Sequence, residues 1–261
     1  MTDSVMVKTE GAIATVLLNR PAAFNAFDMD LMDRFMAGIV SLAADKNVRA
    51  IVISGEGKAF CAGGDLKWAL SYPHGPAAGF HELAGRFHLA VTDIRRMAKP
   101  VIAAVNGPAA GGGFSLALAC DFRVIAESAV LKQAYTSSGL SMDGGGSFTL
   151  PRLVGFARAL EIAAFDPSIS AQQALAWGLA TKVVKDGTAL SAAMDMAREL
   201  ADKSLHSFGL SKQLLLDSFD SSFETHMERE RAALSACAEH PEGKEGLTAF
   251  AEKRKPRFGA R

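Results

Sequence analysis

Asn106–Asp121 reads NGPAAGGGFSLALACD, and how it is read decides the fold. The apolar run 101–105 before it is short enough for a buried strand, and 114–119 after it is apolar and helix-friendly. The order is therefore strand, glycine turn, helix. Gly111, Gly112 and Gly113 remove every Cβ where the helix begins, so a ligand can approach backbone N–H groups that have no intrahelical partner. A helix start also presents the positive end of the dipole, and its natural guest is an oxygen that carries or develops negative charge. A P-loop reading fails because no Gly-Lys-Ser/Thr follows, and the G-x-x-x-G-G-G spacing from Gly107 fits a dinucleotide fingerprint poorly. Gly113-Phe114-Ser115-Leu116-Ala117 lacks the final glycine of a nucleophile elbow. Taken alone, the stretch still allows a turn that only lets a helix pack on a strand.

The chain of 261 residues can bury a substantial core, either as one large domain or as one domain with an appendage. Charges or glycines interrupt every apolar run before a bilayer's thickness is reached, and MTDSVMVK has neither a signal-peptide nor a transit-peptide character. A cytoplasmic protein with no membrane partner is expected. Lys plus Arg equals Asp plus Glu at 28 each, which gives no electrostatic case for nucleic acid. The tail is nevertheless basic: Lys253, Arg254, Lys255, Arg257 and Arg261 suit a phosphorylated small molecule, a neighbouring subunit or plain solvation. Cys61, Cys120 and Cys237, odd in number and far apart, read as reduced thiols. His81-Glu82 begins like H-E-x-x-H, but position 85 is Gly85, so no metal site is expected.

Along the chain, a hairpin around Glu10-Gly11 precedes a helix capped by Asp28, and RAIVIS (49–54) reads as a buried strand. KAFCAGGDL (58–66) is a second crowd of small residues between a strand and a helix. SYPHGPAAG (71–79) reads as a surface loop or lid edge, followed by a helix over 80–97. FRVIA (122–126) is a short strand, and the irregular 134–146 carries Asp143, either an ordinary N-cap or Asx-turn aspartate or a functional acid. Beyond Leu150 the pattern is helical, with a capping box at Ser170-Ala171-Gln172-Gln173 and one edge strand at 181–184. The expected division is a catalytic core over 1–190 and a helical docking region over 191–261.

Several of these stretches together resemble the crotonase, or enoyl-CoA hydratase/isomerase, family: LNRPAAFNAF, KAFCAGGDL, VNGPAAGGGFSLALACD, GLSMDGG, LPRLVG and EGLTAFAEKRKPRF. The resemblance implies an α/β fold, a spiral of ββα units with a C-terminal helical trimerisation region, assembled as a homotrimer or dimer of trimers. It implies acyl-CoA thioesters as substrates, no metal or redox cofactor, and an enolate held in an oxyanion hole of two backbone N–H groups. Carried onto this chain, those donors are Ala62 and Gly112. Gly64 and Leu66 would lie along the CoA, while Phe250 and Lys253 match C-terminal CoA contacts, often from a neighbouring subunit. Trp68 is expected in the pocket wall.

The sequence departs from the hydratase pattern where that pattern has two glutamates. Ser115 and Tyr135 stand at those positions, and neither has a pKa suited to general-base work near neutrality. Asp143, in the G-x-x-x-D context of the isomerases and of the dehalogenating branch, is the expected single acid/base, its pKa raised by burial beside Leu140, Met142 and Phe148. Tyr135 would bind substrate or shape the pocket, and Ser115 would fill space beside it. The expected reaction is an enoyl-CoA isomerisation. The alternatives are 2-enoyl-CoA hydration, thioester hydrolysis and a non-catalytic acyl-CoA-binding scaffold.

Overall fold

The computed structural model describes residues 3–259; Arg261 of the basic tail lies outside them. The chain opens with the antiparallel hairpin β1 (Val5–Glu10) and β2 (Ile13–Leu18). Asp28 then caps α1 (Met29–Ala44) by accepting the Leu31 N–H, and the buried β3 (Ala50–Gly55) follows. After α2 (Leu66–Leu70) and α3 (Gly75–Arg96) come β4 (Val101–Val105), β5 (Ala109–Ala110) and α4 (Gly112–Ala119). The next turn is β6 (Phe122–Ala126), β7 (Val130–Lys132), α5 (Gly146–Val154) and α6 (Phe156–Phe165). Then follow β8 (Ile169–Ser170), α7 (Ala171–Ala176), with the capping box at Ser170 and Gln173 formed, and β9 (Lys182–Val184). Four helices end the chain: α8 (Ala189–Ala201), α9 (Leu205–Asp217), α10 (Phe223–Glu239) and α11 (Pro241–Ala251).

The large sheet has the order β1-β2-β3-β4-β6-β9, and from β2 onward its pairs are parallel. Side chains alternate across it as a strand's period of two requires. Ile51, Ile53, Val101, Ala103 and Val105 face the larger core layer with α1, α3 and α4, whereas Ala50, Val52, Ile102 and Ala104 face α8. A parallel sheet covered on both faces accounts for the unbroken apolar runs of β3 and β4. Among the described residues no helix is long and apolar enough to cross a membrane.

One expectation changes. The stretch 71–79 is only partly a loop, because α3 begins at Gly75, where Pro76 supplies a fixed φ and lacks an N–H that the first turn would leave unpaired. Position 190 lies within α8, whose Ala193, Met194 and Ala197 pack on the sheet. Finally, a small second sheet, β5-β7-β8, stands beside the large one.

Candidate active site

The small sheet brings the site together. Each spiral turn runs from a long strand of the large sheet to a short strand and then to a helix: β4-β5-α4, then β6-β7 leading to α5. In the turn before these, Cys61 takes the short strand's place, forming a parallel bridge with Ala109. The Ala110 N–H donates to the Cys61 carbonyl at 2.9 Å, and the Cys61 N–H to that of Pro108 at 3.2 Å. Ala109 in turn pairs with Leu131. The third residue beyond each paired position is Gly64, Gly112 or Ala134, and all three line one cavity of about 420 Å³. The glycines make this stacking possible. A Cβ at Gly113 would lie 2.2 Å from the Cys61 carbonyl oxygen, and one at Gly63, whose φ is +90°, would lie 2.8 Å from that of Ala110.

The bridge between Phe27 and Gly64 decides which donors are free. The Phe27 N–H donates to the Gly63 carbonyl at 2.7 Å and its own carbonyl accepts from the Asp65 N–H at 2.9 Å, which leaves the Gly64 N–H outside the ladder. Among the described residues neither the Gly64 nor the Gly112 N–H has a protein acceptor. Ala62, expected as a donor, lines the cavity but gives its N–H to the Phe24 carbonyl at 3.0 Å. The loop is fastened from outside: Arg20 lies 3.0 Å from Asp28 and 3.1 Å from Asp65, and Asp65 caps α2 through the N–H groups of Lys67 and Trp68.

Asp143 lines the same cavity, and its side chain is not a helix cap: α5 starts from Gly145 with no side-chain cap bond. Its Oδ1 lies 2.5 Å from Nε2 of His88 on α3, a partner the sequence reading missed. The expected burial is absent. The Asp143 side chain is 37% exposed, and Leu140 and Phe148 are each more than a third exposed. Tyr135 is buried in the cavity wall, its hydroxyl 3.0 Å from that of Ser115. Burial raises the Tyr135 pKa, and the Ser115 hydrogen bond offsets this only in part. Phe27 and Phe87, with ring centroids 5.2 Å apart, form part of an apolar wall that continues through Phe80, Leu83 and Met142.

This arrangement has close relatives. A family model for enoyl-CoA hydratase/isomerase matches residues 8–261. The chain belongs to the enoyl-CoA hydratase/isomerase family. It is 35% identical to a 1,2-epoxyphenylacetyl-CoA isomerase of Escherichia coli, over 99% of both chains, and 34% identical to a 4-chlorobenzoyl coenzyme A dehalogenase of Arthrobacter, over 95% of this chain and 91% of that one. The crystal structure of an enoyl-CoA hydratase from Polaromonas sp. JS666 superposes with a TM-score of 0.92 at 35% identity, covering 97% of this chain and 98% of the other. The fold is thus the crotonase fold, and the enzymes of the family process acyl-CoA esters.

Within this family member the remaining expected residues divide. Leu66 lines the cavity; Ser115 lies behind Tyr135, buried. Trp68 is outside the cavity lining, stacked at a tilt against Tyr72 with centroids 5.2 Å apart and packed on the core. Phe250, 86% exposed on α11, and Lys253 just beyond that helix also lie outside the lining. Cys61, in the site's own loop, is no nucleophile: burial pushes its thiol up to about 12.

Proposed function

We propose that this chain shifts a double bond in an acyl-CoA thioester by proton transfer through an enolate. One observation carries the reading: Asp143 is the only Asp or Glu among the described residues lining the cavity that Gly64 and Gly112 also line. The thioester oxygen would accept from the Gly64 and Gly112 N–H groups. Removing a proton from carbon places negative charge on that oxygen, and a preorganised donor at such a position is worth about 2.7–4 kcal/mol. Asp143 takes the proton from one carbon, the enolate holds the electron pair, and the same carboxyl returns the proton to another carbon. The step balances with one carboxylate, and it needs no metal or redox cofactor. His88 orients that carboxylate.

Hydration by the family's paired glutamates would need carboxylates where this chain has Tyr135 and Ser115. The Tyr135–Ser115 pair occupies the two relevant positions, and burial keeps the phenol protonated. The relatives' names put ring-bearing acyl-CoA esters among the substrates to be tried beside linear ones. The His88 contact favours a second reading, in which Asp143 displaces halide from a substrate ring carbon and forms an aspartyl ester. Water, giving its proton to His88, then hydrolyses that ester at its carbonyl, which releases the hydroxylated ring and frees Asp143. Tyr135 stands against this reading, where the pattern of the dehalogenating branch that the sequence resembles has tryptophan. We also propose a trimer or dimer of trimers, in which Phe250 and Lys253 reach a neighbour's CoA.

The deciding experiment follows the conversion of a 3-enoyl-CoA to its conjugated 2-enoyl isomer by ultraviolet absorbance. Asp143→Asn is expected to slow it by about 10²–10⁴. Equal rates in the two proteins would remove Asp143 from the mechanism. Release of free thiol would point instead to thioester hydrolysis, and tight binding without turnover to a scaffold.

A further inference from the structure

We infer that a second cavity, formed by the end of α4, α5 and α9, binds an amphipathic carboxylate. It encloses about 410 Å³, within the range of small-molecule sites, and shares no lining residue with the cavity of Asp143. Arg95, Arg123, Arg152 and Lys212 line it against one carboxylate, Asp121.

That carboxylate is already committed. Lys212 Nζ lies 2.8 Å from Asp121 Oδ2, which also accepts the Val101 N–H. Arg123 donates to the Leu179 and Cys120 carbonyls. Arg95 and Arg152 have no carboxylate partner among the described residues. Arg95 donates to the Thr149 hydroxyl at 3.1 Å and Arg152 to the Phe148 carbonyl at 2.9 Å, while the Arg152 Nε is buried without an acceptor among the described residues. Their guanidinium carbons stand 5.4 and 3.4 Å from the centroid of the Phe148 ring. Arg152 also stands 4.8 Å from that of Phe219. Burial pulls the Arg95 pKa down, attraction to Asp121 opposes this in part, and repulsion from Arg152 adds to the fall.

Two half-buried like charges and an unfilled donor are costly unless an anion completes them. A planar guanidinium fork matches a carboxylate, and aromatic stacking holds the fork in place. The remaining wall is largely apolar, with Leu118, Leu153, Leu215 and Phe219, which calls for an apolar body behind the charged head. A free phosphate lacks that body, and a neutral alcohol would leave the arginines unpaired.

Calorimetric titration of the full chain with hexanoate at low salt tests this, with hexanol as the neutral control. Saturable hexanoate binding, absent for hexanol, is expected, and Arg152→Gln should weaken it at least tenfold. If Arg152→Gln fails to fold, Arg95→Gln is held to the same tenfold criterion. No binding to the protein in its native assembly, equal binding of hexanol, or full affinity in the arginine variant would overturn the site.

Discussion

Ala62 and Gly64 stand two residues apart, and of the two only the Ala62 N–H has a protein acceptor among the described residues. Replacing the residue-64 amide by an ester deletes the N–H and weakens the Gly63 carbonyl that accepts from Phe27; it should lower kcat/KM by about 10²–10³ with only a small drop in melting temperature. The same replacement at residue 62 leaves the Phe24 carbonyl without its donor, and should cost about 0.5–1.5 kcal/mol of stability with the chemistry retained. The reverse pattern would restore Ala62 as the oxyanion donor. This distinction was legible: Cys61-Ala62-Gly63-Gly64 and Ala109-Ala110-Gly111-Gly112 are the same small-small-Gly-Gly run in successive turns, so Gly112 corresponds to Gly64. His88 left no such signal. A lone histidine on a helix, 55 residues from Asp143, meets it only through tertiary packing. The cysteines give a further prediction. Burial pushes Cys61 and Cys120 up to about 12, while Cys237 is half-buried. At pH 8 a thiol reagent should therefore titrate Cys237 alone in the native protein and all three after unfolding.

At the scale of elements, long strands and amphipathic helices were readable because apolar periodicity survives over five or more residues. The short strands β5, β7 and β8 were not, since runs of two or three residues have no measurable period and, unlike the equally short β9, these lie outside the large sheet and are set by their partners. The docking of α9 rests on one buried pair. Gly209 packs so closely on Ala98 that a Cβ there would lie 2.5 Å away, and beside it Lys212 reaches Asp121 and the Ile94 carbonyl, both at 2.8 Å. Lys212→Met strands a buried carboxylate, and should cost about 3–5 kcal/mol in chemical denaturation; a loss below about 1 kcal/mol would show that Asp121 is solvated. The tail of α11 has a pH-dependent fastening. Hydrogen bonding from Arg254, then from the Arg257 N–H, lowers the Glu245 carboxyl to about 2. Because the folded pKa is depressed, this stabilisation is complete above the ordinary value of about 4.5 and is lost as pH falls through about 2. The Arg257 amide, 2.8 Å from Glu245, should accordingly be slow to exchange at pH 5 and exposed in Glu245→Ala at every pH.

At the scale of the molecule, the single chain leaves several large apolar side chains uncovered. Phe156 and Phe165 on α6, Phe223 on α10 and Phe250 on α11 are 74–86% exposed, and α10 runs for 17 residues without burying one. Scattered exposed apolar residues are ordinary, but a helix with no buried face is held only by its ends unless something covers it. The proposed assembly of three or six chains supplies that cover, and also explains why Phe250 and Lys253 stand outside their own chain's cavity. Sedimentation should therefore give three or six times the 27.5 kDa chain mass. Phe165→Asp, far in sequence from any proposed CoA contact, should shift it toward a single chain and weaken CoA-ester binding together with assembly. Phe250→Asp should weaken CoA-ester binding even at concentrations where the protein remains assembled. A wild-type monomer with full isomerase activity would refute the shared site, because one chain would then suffice to hold the whole ester.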